Sequence, residues 1–499
     1  MSLLMGVDIG TTAVKAVVVD INGRKLTSAQ YSYKLDIGSD GSVEQDGEEW
    51  WKALCTVSHK CLAQLREGDC QKPPGRVSAL AFSTQGGSLI MTDKAGRPLA
   101  PAVSWMDMRP VSYLNSISED PAFASVYNTT GWPLEGCLSF MQLIRIRDSE
   151  PELLKKAGYV LTTADFLALR MTENAAIDPS NAAMTQMFNI ASADWEESFY
   201  NICGVNKNQL PDIVPSGKVI GKLVPEALEA MGLTGDVSLV SGGHDQYCGA
   251  LGSGAVLPGD VAVSTGTAWV MVGIDSKPVF DDQESFRPGR HVLPGLWGAL
   301  KSMGTGGACV EWSRRLSFSK EGHLEDYEMI EKEAEKCGIG ADGIRFFPYL
   351  SGSYIPQNPI NRAAFLGLAI NHSRYHMYRA VMEGLAFELR RITEAYTQLS
   401  GQAAKRLILT GGATNSELFS GIITDVLGIP AWISGSDAAC LGAAILAGMG
   451  SGQFRDANDA LERFPTAAPV LPNKENMNSY NIIYKGYTDM VDVLYSEAN

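Results

Sequence analysis

The sequence predicts an α/β protein built as two lobes of similar plan. Short apolar, β-branched runs, Val77 to Phe82, Tyr159 to Leu161 and Val237 to Val240, are interleaved with helical stretches such as Glu48 to Leu65 and Phe140 to Arg147. That alternation is the signature of α/β layers. Within Met5 to Asp20 two β-rich stretches meet at Gly10-Thr11-Thr12, which reads as a hairpin with a polar tip. A related hairpin, Gly259 to Ile274 around Ser264-Thr265-Gly266-Thr267, returns in the second half of the chain. Two hairpins of one kind, one per half, imply two lobes on one plan.

Later elements follow the same logic. Arg374 to Leu399 carries apolar residues at helical spacing, Leu407 to Ala413 reads as a strand entering a glycine turn, and Asn415 to Leu427 reads as a helix. The run Ala438 to Ala447 is short, apolar and rich in small residues, which fits a buried helix packed closely through Gly442. The lobe boundary is placed near Ala250 to Pro258, dividing the chain into 1–253 and 254–499.

Composition narrows the function. The chain has 499 residues, enough for two or three domains at about 150 residues each, and is 45% apolar and 19% charged. This excludes a disordered or coiled-coil protein. With 41 Lys and Arg against 56 Asp and Glu, the net charge of −15 argues against binding nucleic acid or an anionic membrane, so the expected partner is a small molecule. There is no apolar run of about 18 residues and no signal-peptide pattern at Met1 to Gly6, so a cytoplasmic location is expected. Nine scattered cysteines without a Cys-x-x-Cys read as reduced thiols.

Four motifs can carry chemistry. Asp8, at the end of a buried strand and followed by Gly10, Thr11 and Thr12, sets a carboxylate beside exposed N–H groups and hydroxyls that can hold Mg²⁺ and phosphate oxygens. Lys15 on the returning strand can add positive charge, although alternation can equally turn it to solvent. Ser264, Thr265, Gly266 and Thr267 form a second such turn. In Ser241-Gly-Gly-His-Asp245-Gln246 a strand runs into paired glycines and then an aspartate at a helix start. Asp245 there is either an N-cap or a base positioned to take a hydroxyl proton. In Thr410-Gly411-Gly412-Ala413-Thr414-Asn415 the glycines let a flat ligand lie on the turn.

This ordered set resembles the FGGY family of carbohydrate kinases. The most specific pieces are Asp8-x-Gly-Thr-Thr, Trp105-x-Asp107-x-Arg109, Asp178-x-Ser180-Asn181-Ala182, Gly-Gly-x-Asp245-Gln246, Gly411-Gly412-Ala413 with Thr424 to Pro430, and Arg379-Ala-x-x-Glu383-Gly384. The resemblance implies an actin/hexokinase-like (ribonuclease H-like) ATPase fold with a cleft between two lobes. It implies ATP and Mg²⁺ as cofactors and phosphorylation of a sugar hydroxyl. Asp245 would be the catalytic base and Asp8 the metal ligand. Gly10, Thr11, Thr12, Lys15, Ser264, Thr265, Gly266 and Thr267 would surround the phosphates, and Gly411, Gly412, Ala413 and Asn415 would border the adenosine. The sugar would lie near Gln85, Gly86, Gly87, Trp105, Asp107 and Asp245, with an Asp107–Arg109 pair as an equal alternative for those two.

Two departures bear on the substrate. Where xylulose kinases carry Ser-Gly-Gln-Met-His-Gly this chain has Ser83-Thr84-Gln85-Gly86-Gly87-Ser88, which predicts more room and fewer polar contacts; Ser351 to Pro356 also lacks a charged pair common in relatives. A ketose such as xylulose is the first expectation, with other sugars, polyols or sugar acids open, and a homodimer is left open. The competing reading is a catalytically inactive or regulatory ATP- and sugar-binding protein on the same fold. A Walker A loop and an early Gly-x-Gly-x-x-Gly are absent, which removes P-loop and dinucleotide readings.

Overall fold

The computed structural model describes residues 2–67, 75–117, 120–320, 323–464 and 468–495. In chain order the elements that frame the site begin with β1 (Ser2–Ile9), β2 (Ala13–Asp20), β3 (Lys25–Ser32), α1 (Gly47–Glu67), β4 (Arg76–Thr84), β5 (Val219–Lys222), β6 (Ser238–His244) and α2 (Asp245–Gly252). They continue with β7 (Asp260–Thr265), β8 (Trp269–Asp275), β9 (Trp297–Met303), α3 (Gly306–Phe318), α4 (Tyr327–Glu335) and α5 (Arg374–Ser400). The last are β10 (Arg406–Gly411), α6 (Glu417–Leu427), β11 (Ala431–Ile433), α7 (Ala438–Gly450) and α8 (Lys474–Tyr495). Among the described residues no helix is long and apolar enough to cross a membrane.

The chain forms two compact units. In the first, the sheet order is β5-β6-β4-β1-β2-β3. The hairpin β1–β2 is antiparallel, while β4 runs parallel to β1 and β6 parallel to β4. Leu3, Leu4, Met5, Val7 and Ile9 are all buried, because this interior strand is covered on both faces of its sheet and needs an unbroken apolar run. β3, at the edge, buries only Thr27 and is otherwise half-buried or exposed. α1 lays Trp50, Ala53, Leu54, Val57 and Cys61 against the sheet, and the Trp50 ring meets Phe166 edge-on at 6.2 Å. That spacing is the apolar stripe of an amphipathic helix, and each fully buried large side chain contributes about 1.5–3 kcal/mol.

The second unit repeats the plan, with β9, β8, β7, β10 and β11 as successive neighbours. Here β7–β8 is the antiparallel hairpin and β10 and β11 add in parallel. The long helix α5 is fixed at its middle by Glu388, whose Oε1 accepts from the hydroxyls of Tyr349 and of Tyr487 on α8, each at 2.8 Å. His372 lies just before α5, and His376 in its first turn closes a capping box with Ser373.

The units are not the contiguous halves 1–253 and 254–499. Arg287–Gly298 and Asp437–Pro465 join the first unit. For the second of these segments the reason lies in glycine. A Cβ on Gly6 of β1 would fall 1.8 Å from the carbonyl oxygen of Cys440, and one on Gly442 would fall 1.9 Å from that of Cys248 in α2. Helix α7 therefore packs backbone to backbone on β1 and α2, a contact that only glycine permits. The eight cysteines of the described residues are all free thiols.

Candidate active site

The carboxyl ends of β1, β4 and β6 lie side by side, which is where open α/β sheets place their ligands. Asp8 is opposite Ser83 in the register of β1 and β4, and Thr84 is opposite His244 in that of β4 and β6. One residue beyond these pairs stand Gln85 and Asp245. Asp8 Oδ1 accepts from the Ser83 hydroxyl at 2.6 Å. Burial, reinforced by the charge of Asp245, raises the Asp8 carboxyl to about 6 against the lowering effect of Ser83 and Lys15. Asp8 and Asp245, far apart in sequence, thus share one sheet edge.

Asp245 opens α2 as its first residue, with His244 as the N-cap. Its carboxylate is not used for capping. Among the described residues the His244 ring is the side chain in contact with it, with Nε2 3.3 Å from Oδ1. Behind it, Asp178 caps the short helix Pro179–Met184 by accepting from the backbone N–H of Ser180 and Asn181. The Ser180 hydroxyl in turn accepts from the His244 backbone N–H at 2.9 Å. Asp178, Asp8 and Asp245 converge around Cys248, whose thiol is held well above its ordinary value by burial and then by these three charges.

Of the residues expected at the sugar, Asp107 and the Gly86–Gly87 pair are placed otherwise than expected. Trp105 is exposed, and its indole N–H donates to the Thr11 hydroxyl at 3.0 Å. Asp107, expected at the sugar, is fully buried and accepts from the Val43 N–H at 2.9 Å and from the Arg109 Nε at 2.9 Å, while Arg109 also reaches Glu44 at 2.8 Å. Its carboxylate holds the Trp105 loop together and is saturated, so the Asp107–Arg109 pairing is the alternative realised. Nor is there the extra room expected from the glycines. A Cβ on Gly86 would fall 2.6 Å from Met184 and 2.8 Å from His244, and Gly87 has a φ of +78°. Met184 and His244 occupy the volume beside Gly86.

Lys15, expected near phosphate, is ion-paired with Asp437, which also takes Lys25 at 2.6 Å. Its charge is answered within the protein. Gly10 closes the β1–β2 turn by donating to Ala13 O at 2.9 Å, and Tyr33 OH donates to Gly10 O at 2.5 Å. Thr12 is exposed and Thr11 half-buried.

In the second unit a cavity of about 1480 Å³ is lined by Thr265, Gly266 and Thr267 of the hairpin, by Gly412, Ala413 and Asn415 of the glycine turn, and by residues of α3 and α4. Ser264 and Gly411 stand outside that lining. Gly411 is needed for close approach instead: its φ is +92°, and a Cβ would meet the Thr265 backbone at 2.9 Å. The Thr265 hydroxyl, expected to face phosphate, donates to Thr410 O at 2.5 Å and accepts from Ala413 N at 3.1 Å. It ties the two turns together. Gly266 O and Thr267 O accept from the first amides of α3, Gly307 at 3.0 Å and Ala308 at 2.9 Å. Sequence reasoning passed over Glu331, whose Oε2 accepts from the Ser416 hydroxyl at 2.6 Å in this cavity. It also passed over Gln45 and Ser83. Of these only Ser83 had a readable signal, its place opposite Asp8 on a parallel neighbour.

Two units with the same order of one hairpin and parallel additions, each opening on a Gly- and Thr-lined turn, define the actin/hexokinase-like class of ATPase fold. The N-terminal domain of the FGGY family of carbohydrate kinases matches residues 3–252 and its C-terminal domain matches residues 261–451. The chain belongs to that family and is a sugar kinase. It is 29% identical to a gluconokinase of Bacillus subtilis, covering 92% of this chain and 90% of the relative, and 26% identical to a xylulose kinase of the same organism, covering 98% and 97%. Among solved structures, a ligand-bound xylulose kinase from Lactobacillus acidophilus superposes with a TM-score of 0.90 at 23% identity over 100% of this chain and 99% of that one. A gluconate kinase from the same organism gives 0.90 at 23% over 99% of each chain.

Proposed function

We propose that this sugar kinase phosphorylates a ketose such as xylulose, with Mg·ATP as donor and Asp245 as the general base. The observation that carries this is Asp245 itself, a carboxylate at a helix start that caps nothing, beside Asp8 and one residue past the register pair of Thr84 and His244. A carboxylate without a structural task at the ligand edge of a parallel sheet is free to accept a hydroxyl proton as the phosphoryl group departs from ATP. Positioning, rather than high basicity, makes such a base worth about 10²–10⁴-fold in rate.

Asp8 fits a divalent cation: among the described residues its side-chain hydrogen bond is the one from Ser83 to Oδ1, and it is buried beside a second carboxylate, Asp245. When bound, Mg²⁺ supplies positive charge to phosphate oxygens. Thr11, Thr12, Gly266 and Thr267 are the residues assigned to the phosphates, and Gly412, Ala413 and Asn415 to the adenosine. A neutral acceptor is favoured because Lys15, Arg109 and Arg287 are each engaged by carboxylates, Asp437, Asp107 with Glu44, and Glu135. Trp105 offers the sugar an apolar face.

The test is ADP release with D-xylulose, other ketoses, polyols and D-gluconate, in the wild type and in Asp245→Asn. Turnover on a ketose should fall about 10²–10⁴-fold in the variant while ATP affinity stays within a factor of two or so. Unchanged turnover rejects the base; turnover on D-gluconate alone rejects the neutral acceptor.

A further inference from the structure

A relay of two hydrogen bonds links the expected sugar residue Gln85 to the expected phosphate turn, and its direction follows from donor and acceptor chemistry. Gln45 is buried at the end of a three-residue strand, Val43–Gln45, packed beside the turn. Its Nε2 donates to Thr11 O at 2.8 Å. A backbone carbonyl can only accept, so the amide end of Gln45 must face Thr11 and its Oε1 must face the other way. That oxygen lies 3.0 Å from Gln85 Nε2, which donates to it. Gln85 is itself held by its backbone N–H on Ile9 O at 2.9 Å.

One consequence is left over. One N–H of Nε2 is committed to Gln45, while the Oε1 of Gln85 is buried and has no hydrogen-bond partner among the described residues. A buried acceptor without a partner is costly and is retained where a ligand completes it. Trp105 Nε1 on the Thr11 hydroxyl, at 3.0 Å, joins the second expected sugar residue to the same turn.

We infer that Gln45 is a positioning residue that fixes Gln85 as a hydrogen-bond acceptor for a substrate hydroxyl and couples that hydroxyl to the phosphate-facing turn at Thr11. This rests on the sugar-kinase site proposed above. A hydroxyl donates to Gln85 Oε1, while a carboxylate at the same place sets acceptor against acceptor. The relay therefore selects a polyol or ketose hydroxyl at this position and disfavours the acid group of an aldonate.

Two variants separate the two bonds. In Gln45→Glu the carboxylate still accepts from Gln85 but has no donor for Thr11 O, so the turn is disturbed and the sugar residue is not. In Gln45→Leu both bonds go, and Gln85 is free to turn over. Titration calorimetry of the intact protein with D-xylulose and, separately, with Mg·ATP is run on these two, on Gln85→Leu and on the Gln45→Leu/Gln85→Leu double variant. Losing one neutral hydrogen bond weakens binding about fivefold to tenfold. Gln45→Glu should weaken Mg·ATP by that factor and leave D-xylulose within about twofold. Gln45→Leu should weaken D-xylulose as much as Gln85→Leu does, with the double variant no worse than either single one. Wild-type affinity for Mg·ATP in Gln45→Glu, or multiplying losses in the double variant, overturns the relay. If D-gluconate binds the wild type and D-xylulose does not, the ketose reading fails and the selection of a hydroxyl over an acid group at Gln85 is overturned with it. Binding of neither sugar overturns both. Turnover that survives Asp245→Asn removes the base alone and leaves the binding cycle standing.

Discussion

Replacing Gly442 by alanine puts one methyl group where helix α7 crosses α2. The added Cβ would lie 1.9 Å from the carbonyl oxygen of Cys248, 2.7 Å from its carbon and 3.1 Å from its Cα. Carbon and oxygen do not approach within 3.0 Å without something shifting, so the two helices must part by more than 1 Å. Both sides of the contact are backbone, and no side chain can swing away. The cost should reach or pass the upper end of the overpacking range, about 3 kcal/mol, which would lower the melting temperature by about 6–12 °C in a domain of roughly 150–250 residues and by somewhat less in this larger unit. Because α2 begins at Asp245, the same displacement moves the proposed base, and a shift of about 1 Å can cost roughly 10²-fold in turnover. Gly249 on the same helix is the control: an added Cβ meets nothing within 4 Å, so Gly249→Ala should be neutral or stabilising by up to about 1 kcal/mol. Calorimetric melting and a coupled ADP assay read both effects. A Gly442→Ala protein that melts within about 2 °C of wild type with unchanged kcat would refute the backbone contact as the reason for the glycine.

Other consequences can be measured alongside. Removing the guanidinium in Arg109→Ala leaves Asp107 buried without its ion pair, which should cost about 3–5 kcal/mol in urea unfolding; a loss below about 1 kcal/mol would show that the backbone donors suffice. The same variant should loosen the Trp105 loop and raise the KM for sugar more than that for ATP. His291 is held down to about 3 by burial, with its Nδ1 accepting from Leu293 N at 3.1 Å. The unfolded chain therefore binds a proton that the fold refuses between pH 6.5 and 3, and this group's stability, present above pH 6.5, is lost as pH falls through that window. Between pH 7 and 5 the wild type should lose about 2 kcal/mol more than His291→Gln; parallel pH profiles would count against it.

The β1–β2 and β7–β8 hairpins, the strand before Gly411 and the buried helix around Gly442 were all legible in the sequence. Each is a local pattern, either an apolar run bounded by a turn or a set of small residues at helical spacing, and burial on one or both faces enforces such patterns residue by residue. The positions of Asp8 near the end of β1 and of Asp245 just past β6 were legible because each apolar strand runs into glycine. What was not legible is which groups answer which. Lys15 could face phosphate or solvent until Asp437, more than four hundred residues later, came to it, and Asp107 could serve the sugar or Arg109 until Val43 and Arg109 closed on it. The volume beside Gly86 looked empty until Met184 and His244 filled it. Gln45 carried no motif at all, since its meaning is the polarity of the two bonds it makes. Composition and periodicity determine where a chain is buried and how it turns, because those are properties of neighbouring residues. Only the tertiary fold decides how charge and hydrogen bonds are matched, because the partners are brought together by sheet register and helix contact rather than by proximity along the chain.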